Sequence, residues 1–384
     1  KGLSSLMGYL SRKLRTIFIL MTATQPLIVD PLMGKKEITP KVVYFPQLRH
    51  RFTYLPSEEG YDLEAIVFLL DDYNFLEKKR GLVLLNTRKA VCEAFDILEE
   101  VIQSRGEKIK LRLLSTWLTP HHRHRVIKEI KQAEESNEKV ILISTQVIEA
   151  GVDLDFDWVI RDFAPFDSII QAAGRCNRHG KRSEPGVVLI VPFRRNEQLT
   201  CSHVYNKVLR EATKSLLNEQ LTFDEKEIHE MTERYFHFIT SVHAAEPIFQ
   251  QIAEGKWEDA PYLYEKKPLA EVSLIVEENE QVMEWINELE KSRPTLENLT
   301  QRKALMQKLQ QHIIQVPVKA LQDIRERSSF LAIEDKEPII AEVLRGSFYL
   351  LRSIGVGSEA YHPYHLCKGF VPVENKELDE ALIF

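Results

Sequence analysis

Between residues 50 and 195, short apolar runs alternate with stretches of helical periodicity, and this alternation restricts the fold more than any other feature of the chain. Arg51–Leu55 predicts a strand and Leu63–Phe75 a helix. Gly81–Leu85 reads GLVLL, an unbroken apolar run of the kind buried on both faces of a parallel sheet. A helix is expected from Lys89 to Ser104 and a strand over Lys110–Leu114. Thr119 then suits the cap, and Pro120 the first position, of another helix. Val140–Ile143, Trp158–Ile160 and Val187–Val191 supply three further strands. Strands and helices alternating at this spacing imply an α/β domain built on a doubly wound parallel sheet. A further strand is expected upstream, where Ile17, Ile19 and Leu20 precede Thr22, Ala23 and Thr24.

Beyond residue 200 the pattern changes. Helices are predicted over Tyr205–Leu217, Glu225–Phe238, Gln281–Glu290 and Leu296–His312, with strands at Ile313–Val318, Ile339–Val343 and Phe348–Leu351. This reads as a helical connector followed by a small mixed C-terminal domain. Between Trp257 and Thr300 eleven acidic residues face four basic ones, so that region is a poor track for a phosphate backbone. The whole chain of 384 residues carries a formal charge of −6, an average that can hide basic patches. Cys92, Cys176, Cys201 and Cys367 form no C-x-x-C pair and read as free thiols of a reducing compartment. No apolar run reaches the roughly 18 residues that a bilayer span requires, so no membrane association and a cytoplasmic location are expected.

Three stretches carry the candidate chemistry. In VILISTQVIEAGVDLDFDWVI, residues 140–160, a buried strand runs into Ser144 and Thr145, and Gly151 and Asp153 follow. A hydroxyl pair at a strand end with a helix start behind it is expected to form an anion site. Gly151 permits close backbone approach, and Asp153 can accept hydrogen bonds from a ribose. In SIIQAAGRCNRHGKR, residues 168–182, spacings of three and four predict Gln171, Arg175 and Arg178 on one helix face. Six basic residues stand against one acid from Ala173 to Arg195, and the guanidinium fork suits phosphoryl oxygens. In LLSTWLTPHHRHRVIKEIK, residues 113–131, Ser115 and Thr116 follow a strand. The surrounding residues 105–131 hold eight Lys or Arg against two acids, a pattern suited to nucleic-acid backbone. His121, His122 and His124 are not expected to bind metal: neighbouring histidines diverge on a helix, and no carboxylate or Cys completes the set.

TAT at Thr22–Thr24, LLNTRKA at Leu84–Ala90, STQVIEAGVDLD at Ser144–Asp155 and QAAGRCNRHG at Gln171–Gly180 resemble motifs III, IV, V and VI of superfamily 2 helicases, in order. TQVIEAGVD and QAAGRCNR, with the long mixed C-terminal region, most resemble the CRISPR-associated helicase–nuclease of type I interference systems. Ala172 stands where many superfamily 2 members have Arg, which argues against the RNA-helicase branch.

The resemblance implies a division into residues 1–30 as the tail of a first RecA-like domain, 31–49 as linker and 50–195 as the second RecA-like domain. Residues 196–312 would be the helical connector and 313–384 the C-terminal domain. Arg175 and Arg178 would be arginine fingers and Gln171 a γ-phosphate sensor. Gly151 and Asp153 would contact the nucleotide, and Thr22, Ala23 and Thr24 would couple ATP state to DNA grip. Asn86, Thr87, Arg88, Ser115, Ser144 and Thr145 would follow the DNA backbone.

The implied parent translocates 3′ to 5′ on single-stranded DNA at the expense of ATP. It unwinds target DNA for its nuclease, together with an RNA-guided type I surveillance complex. The chain contains neither a G-x-x-x-x-G-K-[ST] loop nor an Asp-Glu-x-His box, and no histidine–aspartate nuclease region. ATP and Mg2+ would therefore be held mainly by a first RecA-like domain, and nuclease metals by an N-terminal nuclease. The chain is expected to be the C-terminal half of such a machine and inactive alone. A different superfamily 2 repair or restriction translocase, or a non-catalytic DNA- or partner-binding module, are the alternatives.

Overall fold

The structure, a computed structural model, describes residues 2–19, 48–149, 152–242, 254–255, 270–295, 297–330, 339–352 and 363–371. The chain divides into two compact units, residues 1–62 with 154–268 and residues 63–153 with 269–384. Residues 50–195 contribute to both.

In the first unit, Trp158–Asp162 and His50–Tyr54 each pair in parallel with Gly186–Val191. Thr222–Asp224 then closes the edge antiparallel to His50–Tyr54. Burial explains why these segments are strands. Trp158, Val159, Ile160, Val188, Leu189 and Ile190 are all buried, as continuous apolar runs in a covered parallel sheet must be. Phe52 stacks on Phe223 at 4.5 Å between ring centroids, which ties the edge strand to the sheet. The helix Lys207–Glu219 starts at Asn206, whose side chain accepts from the Val208 N–H.

In the second unit, Lys139–Ser144 lies between Arg80–Leu84 and Ile109–Leu114, parallel to both. The helix Arg88–Ser104 is capped by Thr87, and Pro120–Glu135 by Thr119 with Pro120 in its first turn. A second sheet in this unit runs Ile313–Pro317, Glu271–Val276, Phe348–Leu351, Ile340–Val343. The helices Glu280–Lys291 and Leu299–Gln310 supply Val282, Ile286, Leu289, Leu305 and Leu309 to a core shared with Ile275 and Leu350. Pairing of Glu271–Val276 with Ile313–Pro317 means that residues on both sides of position 312 build one sheet.

The elements expected between residues 50 and 195 are present, with boundaries shifted by a few residues. The helix expected over Leu63–Phe75 is shorter: it covers Ala65–Asp72, and Asn74 then takes a left-handed conformation that ends it. The strand expected at Ile17, Ile19 and Leu20 is not formed in its described part. Ile17 and Ile19 lie outside any strand and are 89% and 74% exposed. Thr22, Ala23 and Thr24 lie outside the described residues, as does Gly151.

Candidate functional site

The arginines of residues 171–178 sit on a turn rather than on a helix. The helix Phe166–Ala173 buries Phe166, Ile169, Ala172 and Ala173, and Gly174 is its C-cap. The single helix face expected for Gln171, Arg175 and Arg178 is therefore corrected: only Gln171 is helical. The physical reason is a competing pairing. The Phe156 N–H donates to the Arg175 carbonyl (2.9 Å) and the Asn177 N–H to the Phe156 carbonyl (2.9 Å), which pulls residues 175–177 out as a β-bridge. Asn177 completes the turn at φ 42°, in the left-handed region that Asn tolerates.

Charge then fixes the turn. Asp155 Oδ1 accepts from the backbone N–H of Arg178 (2.8 Å) and from Arg182 Nη1 (2.9 Å), and Arg182 Nε donates to Asp157 (2.6 Å). Burial opposes the Arg182 charge, but the two carboxylates outweigh it and hold its pKa above the ordinary guanidinium value. Arg175 is only 6% exposed, Arg178 is half-buried and donates from Nη1 to the Gly174 carbonyl (3.2 Å), and Gln171 is exposed. Cys176 is fully buried within the turn, and burial raises its thiol pKa out of the reactive range. Asp155, Asp157 and Arg182 escaped the reading of the sequence. Their signal is the alternation of Leu154, Phe156 and Trp158, all buried, with Asp155 and Asp157.

In the second unit, register brings three expected segments to one edge. Leu84, Ser144 and Leu114 are Cα partners at the carboxyl ends of three parallel strands, so Asn86, Thr145 and Ser115 leave the sheet at the same edge. Ligands of open α/β sheets bind at such an edge. The side chains are less available than the sequence suggests. Ser144 is fully buried and its hydroxyl is directed to the Leu114 (3.0 Å) and Thr145 (2.8 Å) carbonyls. Among the described residues a three-residue 3-10 turn, Gln146–Ile148, follows it in place of an α-helix. The expected anion site of Ser144 and Thr145 with a helix start behind them is corrected accordingly.

Thr87 Oγ1 accepts from the Ala90 N–H (3.2 Å) and Ser115 Oγ from the Trp117 N–H (3.2 Å), so both hydroxyls shape their own turns. Arg88 lies 5.0 Å over the buried ring of Trp117, and burial lowers its pKa. Asn86 and Thr145 are buried, and Asp153 is exposed. Of the basic residues 105–131, Arg105 pairs with Asp71, Lys110 with Glu138 and Arg112 with Glu129.

Two histidines of this stretch, the buried His122 and the exposed His121, contact distant residues of the same unit. The His122 ring lies 2.9 Å from the Tyr364 hydroxyl, which accepts from the Thr119 N–H (3.1 Å), and His121 stacks on His312 at 4.8 Å. Glu278 accepts from Thr119 Oγ1 (2.7 Å) and pairs with His312 (2.6 Å). Among the described residues no group of three His, Cys, Asp or Glu side chains could hold a metal ion, and no helix is long and apolar enough to cross a membrane.

Residues 77–181 match the family model of the C-terminal region of the CRISPR-associated nuclease/helicase Cas3. The CRISPR-associated nuclease/helicase Cas3 of Haloferax volcanii is 43% identical over 86 residues, which are 22% of this chain and 9% of that protein. In fold, the chain is similar to crystalline T. fusca Cas3, with TM-score 0.57 and 16% identity over 87% of this chain and 44% of that one. A chain in a CRISPR RNA-guided surveillance complex, pre-nicking, gives TM-score 0.55 and 16% identity over 85% of this chain and 45% of that one. The chain spans less than half the length of these two solved structures. Residues 77–181 are thus similar to the C-terminal region of Cas3 proteins, and the parallel strand pairing gives an α/β fold consistent with a RecA-like domain.

Proposed function

Because residues 77–181 match the family model of the Cas3 C-terminal region, we propose that the chain is the part of an ATP-dependent DNA helicase that completes the nucleotide site and guides the single strand. The parent would translocate 3′ to 5′ on single-stranded DNA and unwind target DNA for nuclease degradation in type I CRISPR interference, in the cytoplasm. The partners are the surveillance complex, the N-terminal nuclease and the first RecA-like domain.

The observation that carries this reading is the turn 174–178. Two arginines are presented three residues apart on a backbone that Asp155 braces by accepting from the Arg178 N–H. Arg175 and Arg178 would stabilise charge on the transferring γ-phosphoryl group and Gln171 would sense it. ATP would supply the phosphoryl group, and Mg2+ would offset its charge. Asp155 and Asp157 are already committed to Arg182, so magnesium is assigned to the first RecA-like domain. Asp153 and Gly151 would meet the nucleotide, and Thr22, Ala23 and Thr24 would couple its state to DNA. Asn86, Thr87, Arg88, Ser115, Ser144 and Thr145 would line the DNA path. With the hydroxyls of residues 87, 115 and 144 engaged internally, phosphate contacts there fall to backbone N–H groups and the remaining basic side chains.

The test is ATPase activity of the chain alone and after the first RecA-like domain is supplied in trans. No turnover alone and DNA-stimulated turnover after reassembly are expected. ATPase activity of the highly purified chain that disappears in Arg175→Ala would refute the division of the site. Single-strand binding should weaken with salt, by a slope of about −0.7 in log K per phosphate contact.

A further inference from the structure

Three consecutive residues, Cys176, Asn177 and the candidate arginine finger Arg178, are each bonded to Arg49, the last residue of the expected linker, or to His50, which follows it. His50 Nε2 lies 2.7 Å from the Cys176 carbonyl. Asn177 Nδ2 donates to the Arg49 carbonyl (3.3 Å), and Arg49 Nη1 donates to the Arg178 carbonyl (3.4 Å). Arg49 is itself fixed by Glu225, which accepts from its backbone N–H (3.0 Å), from Nε (2.8 Å) and from Nη2. The Arg49 carbonyl also accepts from the Gly186 N–H (2.8 Å), which anchors it to the sheet. His50 and Asn177 are buried, and the Arg49 and Glu225 side chains are each 20% exposed.

We propose that Arg49, held by Glu225, is a positioning residue that sets the turn carrying Arg175 and Arg178 and so couples the linker to the arginine fingers. The inference rests on the nucleotide reading of that turn. Asp155 holds the turn from one side through the Arg178 N–H, and Arg49 holds it from the other through the Arg178 carbonyl. A guanidinium can bridge in this way because its fork lets Nε and Nη2 bind the carboxylate while Nη1 reaches the peptide oxygen. Displacing the linker residue moves the arginines by the backbone, without any contact between Arg49 and the nucleotide. A misplacement of about 1 Å at a reacting group can cost on the order of 10²-fold in rate.

The experiment compares Arg49→Ala, Arg49→Lys, Glu225→Gln and Arg178→Ala in the full-length protein by DNA-stimulated ATPase. Arg49→Ala and Glu225→Gln are expected to lower kcat by about 10- to 100-fold with KM for ATP within about twofold, the signature of lost transition-state contacts. Arg49→Lys should recover only part of kcat, since an ammonium cannot bridge both acceptors. If Arg178→Ala abolishes turnover and Arg49→Ala stays within about twofold of the parent, the positioning role is overturned while the arginine-finger reading stands. If Arg178→Ala retains turnover, both fall.

A second measurement is independent of catalysis. In this chain, Arg49→Ala should speed amide hydrogen exchange over residues 176–180 by about tenfold, with the helix Phe166–Ala173 changed by less than about twofold. Unchanged exchange in the turn, or loss of protection throughout the unit, overturns the proposal.

Discussion

The turn that presents Arg175 and Arg178 is fastened by charge, whereas the loops leaving the strands of the second unit are fastened by neutral hydroxyls and aromatic bulk. In the turn, Asp155 and Asp157 bind Arg182, and Glu225 binds Arg49. In the loops, Ser115, Thr87 and Ser144 satisfy nearby backbone groups, and Trp117 packs edge-on against Phe370 at 6.2 Å between ring centroids. Charged fastening uses long side chains from distant parts of the sequence. Neutral fastening is local and consumes the hydroxyls that a reader of the sequence would assign to a ligand. If this contrast is right, charge removal damages the first region, and acid or loss of a cap damages the second.

The largest effect is expected at the arginines. Arg178→Ala in the reassembled enzyme should lower ATP turnover on the order of 10³-fold, and Arg175→Ala by as much or less. Lysine should rescue poorly at either position. ATPase and strand displacement measured for each variant check this. Turnover within about twofold of the parent would mean that the turn is only a basic surface.

The fastening charges come next. Asp155→Ala removes the acceptor for the Arg178 N–H and leaves Arg182 with Asp157 alone. Taking away one partner of a largely buried pair costs about 3 kcal/mol, the low end of the usual range. Urea unfolding should show this as a lower midpoint with unchanged slope. A loss under about 0.5 kcal/mol, as for an exposed pair, would remove the distinction between the two regions.

The same contrast explains what the sequence made legible. Strands such as Gly186–Val191 and helices such as Arg88–Ser104 follow from local periodicity and caps, and they lie close to where the residues predict them. The end of the helix at Ala173 did not, because Phe156 captures the backbone of Arg175 and Asn177 from 19 to 21 positions away. Arg49 and Glu225 are 176 residues apart, and no local pattern announces such a pair. The strand Glu271–Val276 was missed within an acidic region, since its partners lie at Ile313–Pro317 and Phe348–Leu351. Local physics is written in order along the chain; pairing between distant segments is not.

Acid should act on the second unit through His122. Burial, helped by Arg125 and His121, lowers its pKa from 6.5 to about 4, against the opposing pull of Glu278 and Glu129. The unfolded chain therefore binds a proton near pH 6.5 that the folded chain refuses until about pH 4. Between those values the unfolded state holds more protons, so stability falls as pH falls, by on the order of 2 kcal/mol. Glu278 has the same sign: its folded pKa is depressed by His312 and Thr119 despite burial, so its contribution is lost at still lower pH. His122→Gln should flatten the stability profile from pH 6.5 to 4 and leave the later carboxylate loss. An unchanged profile in that window would show that His122 is not the acid-sensitive group.

The smallest effect separates fastening from binding at a single hydroxyl. Thr87 has extended backbone at φ −120° and ψ 148°, and its Oγ1 accepts from the Ala90 N–H at the start of the helix Arg88–Ser104. Thr87→Ala leaves that donor without its cap and should cost about 1 kcal/mol, while Thr87→Ser should be nearly neutral. Because the lone pair is already turned toward the helix, the DNA affinity of folded Thr87→Ala should match the parent once the folded fraction is counted. The salt slope should also stay constant, since a hydroxyl releases no counterion. Thermal unfolding and single-strand binding titrated on the same sample make the comparison direct. Weaker binding with no loss of stability would place the Thr87 hydroxyl on the nucleic acid and end its role as a cap.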